Sequence, residues 1–325
     1  MKAGFVRKGL TAAAAAVVSA AALASATTAF AQETVRIGLA TQTWWPTVIA
    51  EVAERQGLFE KEGLKAELTV YQSGGEAFTA LAAGAADIIS IQPSIVATGR
   101  TRGVAAKMIA QGSDANYGWQ LIVPADSEIK DASELDGSNV GITASGSLSE
   151  FLALWTQQEK DVSFNNVPLG GGGLVPNLVS GNVQAAVIYS PLSFQVIQDG
   201  DGKSILDFGK EIPAHLNSGW AASDAVIESK PELVQKTLNA LYGGVAWMQS
   251  HREEAIDLLV ELNQIAPEVA VQEYEEQFMK LSKDGAMTVE GAQVALDLAK
   301  IGGIEDLAPA ADIVEDGFKP VPTGF

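Results

Sequence analysis

The residues of this chain best suited to chemistry are aromatic, small and polar side chains in short turns. Trp44 and Trp45 stand between a predicted strand and Pro46, where a helix should begin. Two large rings beside the free amides of a helix N-terminus can hold the apolar body and the anionic end of one ligand. These residues favour non-covalent recognition of a small molecule. Core packing explains adjacent tryptophans at a strand end equally well, so the rest of the chain must decide.

Further turns share this character. Residues 72–75, 92–94, 144–147, 170–173 and 189–191 each follow a predicted strand and offer small or polar side chains with amides that the next helix leaves unpaired. For any one turn alone, ordinary turn chemistry is the better explanation. With the tryptophans at two predicted crossovers, the candidate ligand contacts are Gln42, Trp44, Trp45, Ser73, Gly74, Gly75, Gln92, Ser94, Trp119, Ser145, Gly146, Gly172, Tyr189, Ser190 and Trp220.

Covalent and metal chemistry find little support in the sequence. The chain has no cysteine and only two histidines, His215 and His251, and no Ser-His-Asp or metal-ligand spacing stands out. The four glycines at 170–173 lack the Lys-Ser/Thr pair of a phosphate-binding loop. Ser147 and Glu150 fit a helix capping box, which gives Ser147 a structural role. We therefore expect no catalytic activity, no cofactor and no metal.

The amino terminus indicates secretion. Basic residues among the first nine positions precede an apolar run at 10–23, and an A-x-A cleavage pattern ends at Ala31, which predicts a signal peptide over residues 1–31. The run is short for a membrane span, and a lipid anchor would need a cysteine. Removal of this segment takes away three of 21 positive charges and none of the 40 negative ones, leaving about −22. We expect a periplasmic monomer that binds neither nucleic acid nor anionic membranes.

Strands and helices alternate over the first two thirds of the chain. Predicted strands at 35–40, 65–71, 87–91 and 104–110 are separated by helical segments, and a second alternating unit begins at 121–123. This pattern predicts mostly parallel sheets, in which ligands bind beyond the carboxyl ends of the strands. The candidate turns lie at those ends. The chain becomes almost entirely helical after residues 218–223.

The order of these elements and turns resembles the periplasmic substrate-binding proteins of the nitrate, sulfonate and taurine class of ABC importers, which are NMT1/THI5-like. Matching segments are QGLFEKEGL at 56–64, LAAGAAD at 81–87 and SELDGSNVGI at 133–142. The resemblance implies the type II periplasmic-binding-protein fold, an α/β fold of two lobes, each a mostly parallel sheet flanked by helices. It assigns 32–120 and 219–325 to lobe 1 and 121–218 to lobe 2, with hinge crossovers near Trp119 and Trp220.

The resemblance also implies a function, which is capture of a small molecule between the lobes and its delivery to an ABC permease in the inner membrane. We expect an anion, a sulfonate or carboxylate with an apolar or aromatic part, between Trp44 or Trp45 and Tyr189. No Arg or Lys lies in the predicted cleft turns, so its charge would rely on helix N-termini. Ser190 stands where members of the class often carry an acidic residue, which disfavours taurine.

Three alternatives stay open at this point. The ligand is a neutral heterocycle, such as a thiamine-pyrimidine or another vitamin precursor; the protein presents its ligand to a membrane sensor; or it is an enzyme like the pyrimidine-precursor synthases that share the fold. The last alternative is the weakest, because such enzymes look to need histidine and metal chemistry, and this chain has only two histidines.

Overall fold

Two five-stranded sheets form the frame of the protein in a computed structural model that describes Met1 and residues 32–324. The predicted signal peptide, apart from Met1, lies outside the described residues. The strands are β1 Glu33–Leu39, β2 Leu64–Val70, β3 Ile88–Ile91, β4 Ala106–Ser113, β5 Gln120–Pro124, β6 Asn139–Ile142, β7 Asn165–Pro168, β8 Ala185–Ile188, β9 Gly202–Asp207 and β10 Ser218–Ser223.

Helices cover both sheets, and none in the described part of the chain is long and apolar enough to cross a membrane. They are α1 Trp45–Arg55, α2 Leu58–Lys61, α3 Gly74–Ala82, α4 Pro93–Thr101, α5 Leu148–Glu159, α6 Leu174–Val179, α7 Leu192–Gln198, α8 Phe208–Glu211, α9 Asp224–Ser229, α10 Pro231–Ser250, α11 Arg252–Asn263, α12 Pro267–Glu276, α13 Val289–Ile301 and α14 Ala310–Ile313. Short 3₁₀ turns lie at Ala132–Leu135, Gly171–Gly173 and Phe278–Lys280.

The two sheets have the same plan. The first has the strand order β2-β1-β3-β10-β4 and the second β7-β6-β8-β5-β9. In each, three neighbouring strands are parallel, and the fourth strand in the order is antiparallel to both of its neighbours. These antiparallel strands, β5 and β10, directly follow the two passages of the chain between the sheets. The predicted fold class is therefore confirmed, and the boundaries predicted for the two lobes stay a prediction.

The strands that carry the first sheet follow the predicted burial pattern. Val35, Ile37 and Leu39 of β1 are fully buried, and every residue of β3 is buried. Just before β3, the carboxylate of Asp87 accepts hydrogen bonds from the Arg36 backbone N at 2.9 Å, from Nε at 3.0 Å and from Nη2 at 2.7 Å. This paired carboxylate ties the start of β3 to the neighbouring strand β1.

The predicted start of one helix differs from the observed one. The sequence predicts helices over 148–159 and 76–83. The first prediction matches α5, whereas α3 begins at Gly74 rather than Glu76. The Ser73 hydroxyl caps α3 by accepting from the Glu76 N at 3.2 Å, so both glycines lie in the first helical turn and not in a preceding bend. The sequence predicts extended chain over 309–325, but this segment contains the short helix α14, after which Val314 pairs with Met108 of β4.

Candidate functional site

The cleft between the carboxyl ends of the two sheets is closed. The Gly171 N donates to the Gln72 O across it at 3.2 Å. A Cβ on Gly75, in the first turn of α3, would lie 3.2 Å from the Ser145 O in the turn after β6. The turns that the sequence marked as candidates therefore meet from both sides.

Aromatic rings form a continuous chain through the cleft. Ring centroids of Trp44 and Trp119 are 6.3 Å apart, and those of Trp119 and Tyr189 are 5.5 Å apart. Trp44 precedes α1 on the first sheet, Tyr189 follows β8 on the second, and Trp119 lies on the passage between them. Trp45 and Trp220, at 6.0 Å from each other, are each 1 % exposed. The first three rings line the cleft, whereas the last two pack in the core.

A small cavity, here named the central cavity, lies where the three rings meet. Its volume is about 20 Å³, room for about one water molecule. It is lined by Ala40, Thr41, Trp44, Gly74, Gln92, Trp119, Thr143, Ser147, Leu148 and Tyr189. Helices α3, α4 and α5 all begin at this cavity, so the partial positive charge of three helix N-termini lies beside it.

Two buried side chains of the central cavity have polar atoms without partners. The Gln92 side-chain Nε2 and the Thr41 Oγ1 form no hydrogen bond within residues 32–324, although the two residues are only 3 % and 7 % exposed. A buried donor left unpaired costs about 1–3 kcal/mol. Gln92 also lines two neighbouring cavities, so this side chain borders three cavities in all.

Tyr189 closes the cavity on the side of the second sheet. Burial raises the pKa of its phenol, and the nearby Thr41 and Thr43 hydroxyls act in the opposite direction. Neither threonine hydroxyl reaches hydrogen-bonding geometry with a group of the described chain. Tyr189 is therefore a neutral phenol at physiological pH, with hydroxyls beside it that are available to a ligand.

Three further cavities adjoin the central one. The largest, here named the side chamber, has a volume of about 500 Å³ and is lined by Gly75, Phe78, Thr79, Gln92, Ser94, Ile95, Thr98, Gly99, Arg102, Val104, Ser145, Gly146, Ser147, Glu150, Phe151, Leu154 and Ile304. One of about 320 Å³ is lined by Thr41, Gln42, Thr43, Val70, Tyr71, Gln72, Gly171, Gly172, Tyr189 and Leu192. One of about 10 Å³ lies between Gln92, Pro93, Ser94, Leu148, Phe151, His215, Asn217 and Ala295.

The structure brings most of the predicted site residues together. Trp44, Gly74, Gln92, Trp119 and Tyr189 line the central cavity; Gly75, Ser94, Ser145 and Gly146 line the side chamber; Gln42 and Gly172 line the cavity of about 320 Å³. Four others line none of these four cavities. Trp45 and Trp220 are core residues, Ser73 caps α3, and Ser190 is buried where a Cβ on Gly118 would meet its hydroxyl.

Sequence reasoning did not select Thr41, Thr143, Ser147 and Leu148, which also line the central cavity. Ser147 was assigned to capping alone. Its hydroxyl does accept from the Glu150 N at 3.4 Å, but the Glu150 carboxylate accepts from the Gly146 N at 2.6 Å instead of from the Ser147 N. The predicted capping box is thus only half formed.

The buried histidine belongs to a hydrogen-bonded network at the passage between the sheets. His215 Nδ1 lies 2.7 Å from the Pro213 O, and burial lowers the pKa of the imidazole. A carbonyl partner requires Nδ1 to carry the proton, which leaves Nε2 facing the Asn217 amide at 3.5 Å. In the part of the chain that the structure describes, no three acidic or histidine side chains are placed to hold a metal ion.

This chain is similar to known proteins in sequence and in fold. It is 27 % identical to a putative aliphatic sulfonates-binding protein of Bacillus subtilis over 72 % of this chain and 71 % of that protein. The alkanesulfonate-binding protein SsuA from Xanthomonas axonopodis pv. citri, solved bound to MOPS, superposes with a TM-score of 0.76 at 16 % identity, over 86 % of this chain and 97 % of that chain.

A second solved structure has the same fold. The periplasmic aliphatic sulphonate binding protein SsuA from Escherichia coli gives a TM-score of 0.71 at 18 % identity, over 90 % of this chain and 94 % of that chain. Residues 48–255 match the family described as NMT1/THI5 like, which is well over half of the sequence. The resemblance seen in the sequence is therefore confirmed, and the chain belongs to the NMT1/THI5-like family.

Proposed function

We propose that this protein is the solute-binding component of an ABC importer and that it captures a small organic anion, a sulfonate or a carboxylate, in the cleft between its two sheets. The observation that carries the proposal is the Gln92 side chain. Its Nε2 is buried and has no partner in the described chain, yet it faces a cavity walled by Trp44, Trp119 and Tyr189. A ligand that enters the cavity can supply the missing acceptor and so gain a hydrogen bond that the protein alone does not make.

The polar groups of the central cavity favour an anionic end. The Gln92 side chain lines the cavity, helices α3, α4 and α5 begin beside it, and no carboxylate lines it. Helix N-termini stabilise negative charge, and no cation is needed when several of them converge. The three aromatic rings then contact the apolar part of the ligand.

Closure supplies the mechanism of capture. The ligand contacts Trp44 and Gln92 on the first sheet and Ser147 and Tyr189 on the second, so it binds the closed arrangement more tightly than an open one. Only such differential affinity can shift a hinge equilibrium. The closed form is the form to be presented to a permease in the inner membrane. The sulfonate-binding names of the relatives and the apolar amino terminus support this role in the periplasm.

An enzymatic role has less support from the site. His215 lies outside the central cavity, and its two ring nitrogens face the Pro213 carbonyl and the Asn217 amide, so it has no free nitrogen for acid–base work there. The aromatic trio would also suit a neutral heterocycle, and the ligand screen below separates that alternative from an anion.

The test is a thermal-shift screen of the mature protein, unfolded and refolded to remove carried-over ligand. Sulfonates, taurine, aromatic carboxylates, pyrimidines and flavins are added separately. Ligand at about a hundred times its dissociation constant adds about 2.7 kcal/mol, which raises Tm by roughly 4–5 °C for a chain of this size. We expect the shift with organic sulfonates or carboxylates.

Two variants and one control make the result specific. Gln92→Leu and Trp44→Ala should abolish the shift, and Gln92→Leu should leave the ligand-free protein at least as stable, because an unpaired donor is removed. Trp247→Ala is the control, since this half-buried ring stacks on His251 and lines none of the four cavities. If no class raises Tm, or if Gln92→Leu binds as well as the wild type, the proposal is wrong.

A further inference from the structure

We infer that the ligand has two negatively charged ends, with one in the central cavity, an apolar body in the side chamber and the second charge at Arg102. This inference rests on the proposed function, which it narrows from organic anions to two-headed ones with an apolar middle.

The central cavity is too small to hold a whole organic ligand. About 20 Å³ in the central cavity leaves room for about one water-sized group, such as an oxygen of a carboxylate or sulfonate, and not for an organic body. Gln92 and Ser147 line both the central cavity and the side chamber, so the body of a ligand whose head lies at Gln92 can continue into the larger space. The side chamber holds about 500 Å³, which suits a small organic molecule.

Apolar side chains from both sides of the cleft form walls of the side chamber. Phe78 of α3 and Ile95 of α4 approach from the first sheet, and Phe151 and Leu154 of α5 approach from the second. An apolar body there would be held by both sides of the cleft, as closure requires. The cavity of about 320 Å³ also has apolar and aromatic side chains in its lining, but no arginine or lysine lines it, so it offers no positive charge to a second anionic end.

Arg102 places a positive charge beside the side chamber. Four of the five arginines in residues 32–324 have a carboxylate partner: Arg36 with Asp87, Arg55 with Glu261, Arg100 with Asp224 and Arg252 with Glu275. Within that part of the chain, no ion pair or side-chain hydrogen bond involves the fifth, Arg102, which lines the side chamber. In a protein of strongly negative net charge, a guanidinium without a partner beside a cavity can bind an anion bidentately.

The spacing of the two charges follows from helix α4. Gln92 precedes this helix and Arg102 follows it, so their Cα atoms are separated by about 15 Å of helix axis. Long side chains lean back toward the helix N-terminus, which brings the guanidinium closer to the central cavity. The ligand therefore needs several carbon atoms between its charged groups.

Glu150 provides the main competing role for Arg102. Its carboxylate also lines the side chamber, from the side of the second sheet, and accepts from the Gly146 N at 2.6 Å. If the two side chains paired directly across the cleft, Arg102 would act as a latch that strengthens binding of every ligand equally. The test must separate a latch from a ligand contact.

The experiment compares two series of probes by isothermal titration calorimetry at low salt. One series is alkane-1-sulfonates of increasing length, and the other is sulfonates of the same carbon numbers with a terminal carboxylate. We expect the wild type to bind one length of the two-headed series about tenfold more tightly than its matched monoanion, with the preference shrinking as salt rises. Arg102→Gln should bring the two affinities together, and Arg55→Gln, a remote surface control, should preserve the difference.

Two results would overturn the inference and leave the proposed function intact. One is equal affinity for both series at every length. The other is a loss in Arg102→Gln that is the same for both series and is reproduced by Glu150→Gln, which would identify a latch. If neither series binds to the wild type and the thermal-shift screen also finds no organic anion, the proposed function itself fails.

Discussion

The cleft and the helical layer behind it both bury polar atoms without partners. Such an atom can be open to a ligand in one region and serve no ligand in the other. In the cleft, the Gln92 amide is unpaired in the described chain. Behind it, α12 packs against α7, and both carboxylate oxygens of the fully buried Glu273 are also unpaired there, as is the Gln277 Nε2.

The difference lies in the space around each group and in whether it can lose its charge. Gln92 lines three of the four cavities, whereas Glu273 lines none of them. Burial raises the pKa of Glu273 to about 8; the nearby Ser190 hydroxyl opposes the rise and the negative charge of Glu276 adds to it. An unpaired donor beside a cavity is open to a ligand, and an unpaired acid without one keeps its proton.

Replacing Glu273 with Gln is the strongest test of this distinction. The folded protein holds the proton up to about pH 8, but the unfolded chain releases it near the ordinary glutamate value of 4.5. The wild type therefore loses stability as pH rises from about 4.5 to 8. Glu273→Gln has no such proton, so its gain in free energy of unfolding should be near zero at pH 4.5, about 3 kcal/mol at pH 7 and constant above pH 8.

Denaturant unfolding at pH 5, 7 and 9 measures this gain. Glu268→Gln is the matched control, since this exposed residue lies on the same helix, does not contribute to the pKa of Glu273, and should change stability little at any pH. A gain in Glu273→Gln that is the same at pH 5 and pH 9 would mean that the carboxyl has an ionic partner, and the comparison with Gln92 would lose its basis.

Asp87 is the paired counterpart and should respond to pH in the opposite direction. Burial acts to raise the pKa of Asp87, but the hydrogen bonds and charge of Arg36 outweigh it and lower the pKa below 3.8. The pair therefore stabilises the fold above the unfolded pKa and loses this effect as pH falls through the folded value. Asp87→Asn should cost about 1–2 kcal/mol at pH 7, limited because the Arg36 side chain is 42 % exposed.

The same unfolding titration, extended to pH 3, checks Asp87→Asn. Its deficit should narrow below about pH 4, where the wild-type carboxyl takes up its proton. Lys65→Gln, which removes an exposed ion pair with Glu67 on the neighbouring strand β2, is the control and should have little effect. A deficit that stays constant down to pH 3 would assign the loss to packing instead of charge.

Much of the fold could be predicted because local patterns determine it. The capping serine and apolar spacing of α5 predict its bounds, and the alternation of strands and helices predicts the two sheets. The antiparallel strands β5 and β10 could not be assigned a direction, because direction depends on how the chain passes between the sheets. Helix α7 and strand β9 were not predicted at all.

Some residues of the candidate site could likewise be predicted from the sequence, and others could not. Residues of the central cavity such as Gln92 and Tyr189 follow strands, where ligand contacts are expected from topology alone. The side chamber is built from Phe78, Phe151 and Arg102, which lie in or after helices and read locally as core or surface residues. Their common cavity exists only where the two sheets close on each other, and no local pattern carries that information.

The Gly75→Ala variant tests closure of the cleft directly, and its expected effect is the smallest. A methyl group on Gly75 would lie 3.2 Å from the Ser145 O and 3.4 Å from the Gly146 O on the opposite side of the cleft, so these carbonyls must move for the cleft to close. Alanine in the first turn of α3 should not weaken folding, because it is a better helix former than glycine. Gly75→Ala should therefore bind the best anion of the screen a few-fold more weakly at unchanged or higher Tm.

Gly172→Ala is the control for this change, because a Cβ there meets nothing within 4 Å although the residue also borders the cleft. Its affinity should equal that of the wild type. Equal affinity in Gly75→Ala as well would show that bound ligand does not need the close approach of α3 to the turn at Ser145. The polar groups of the central cavity would then hold the ligand without full closure, and the side chamber would lose its second wall.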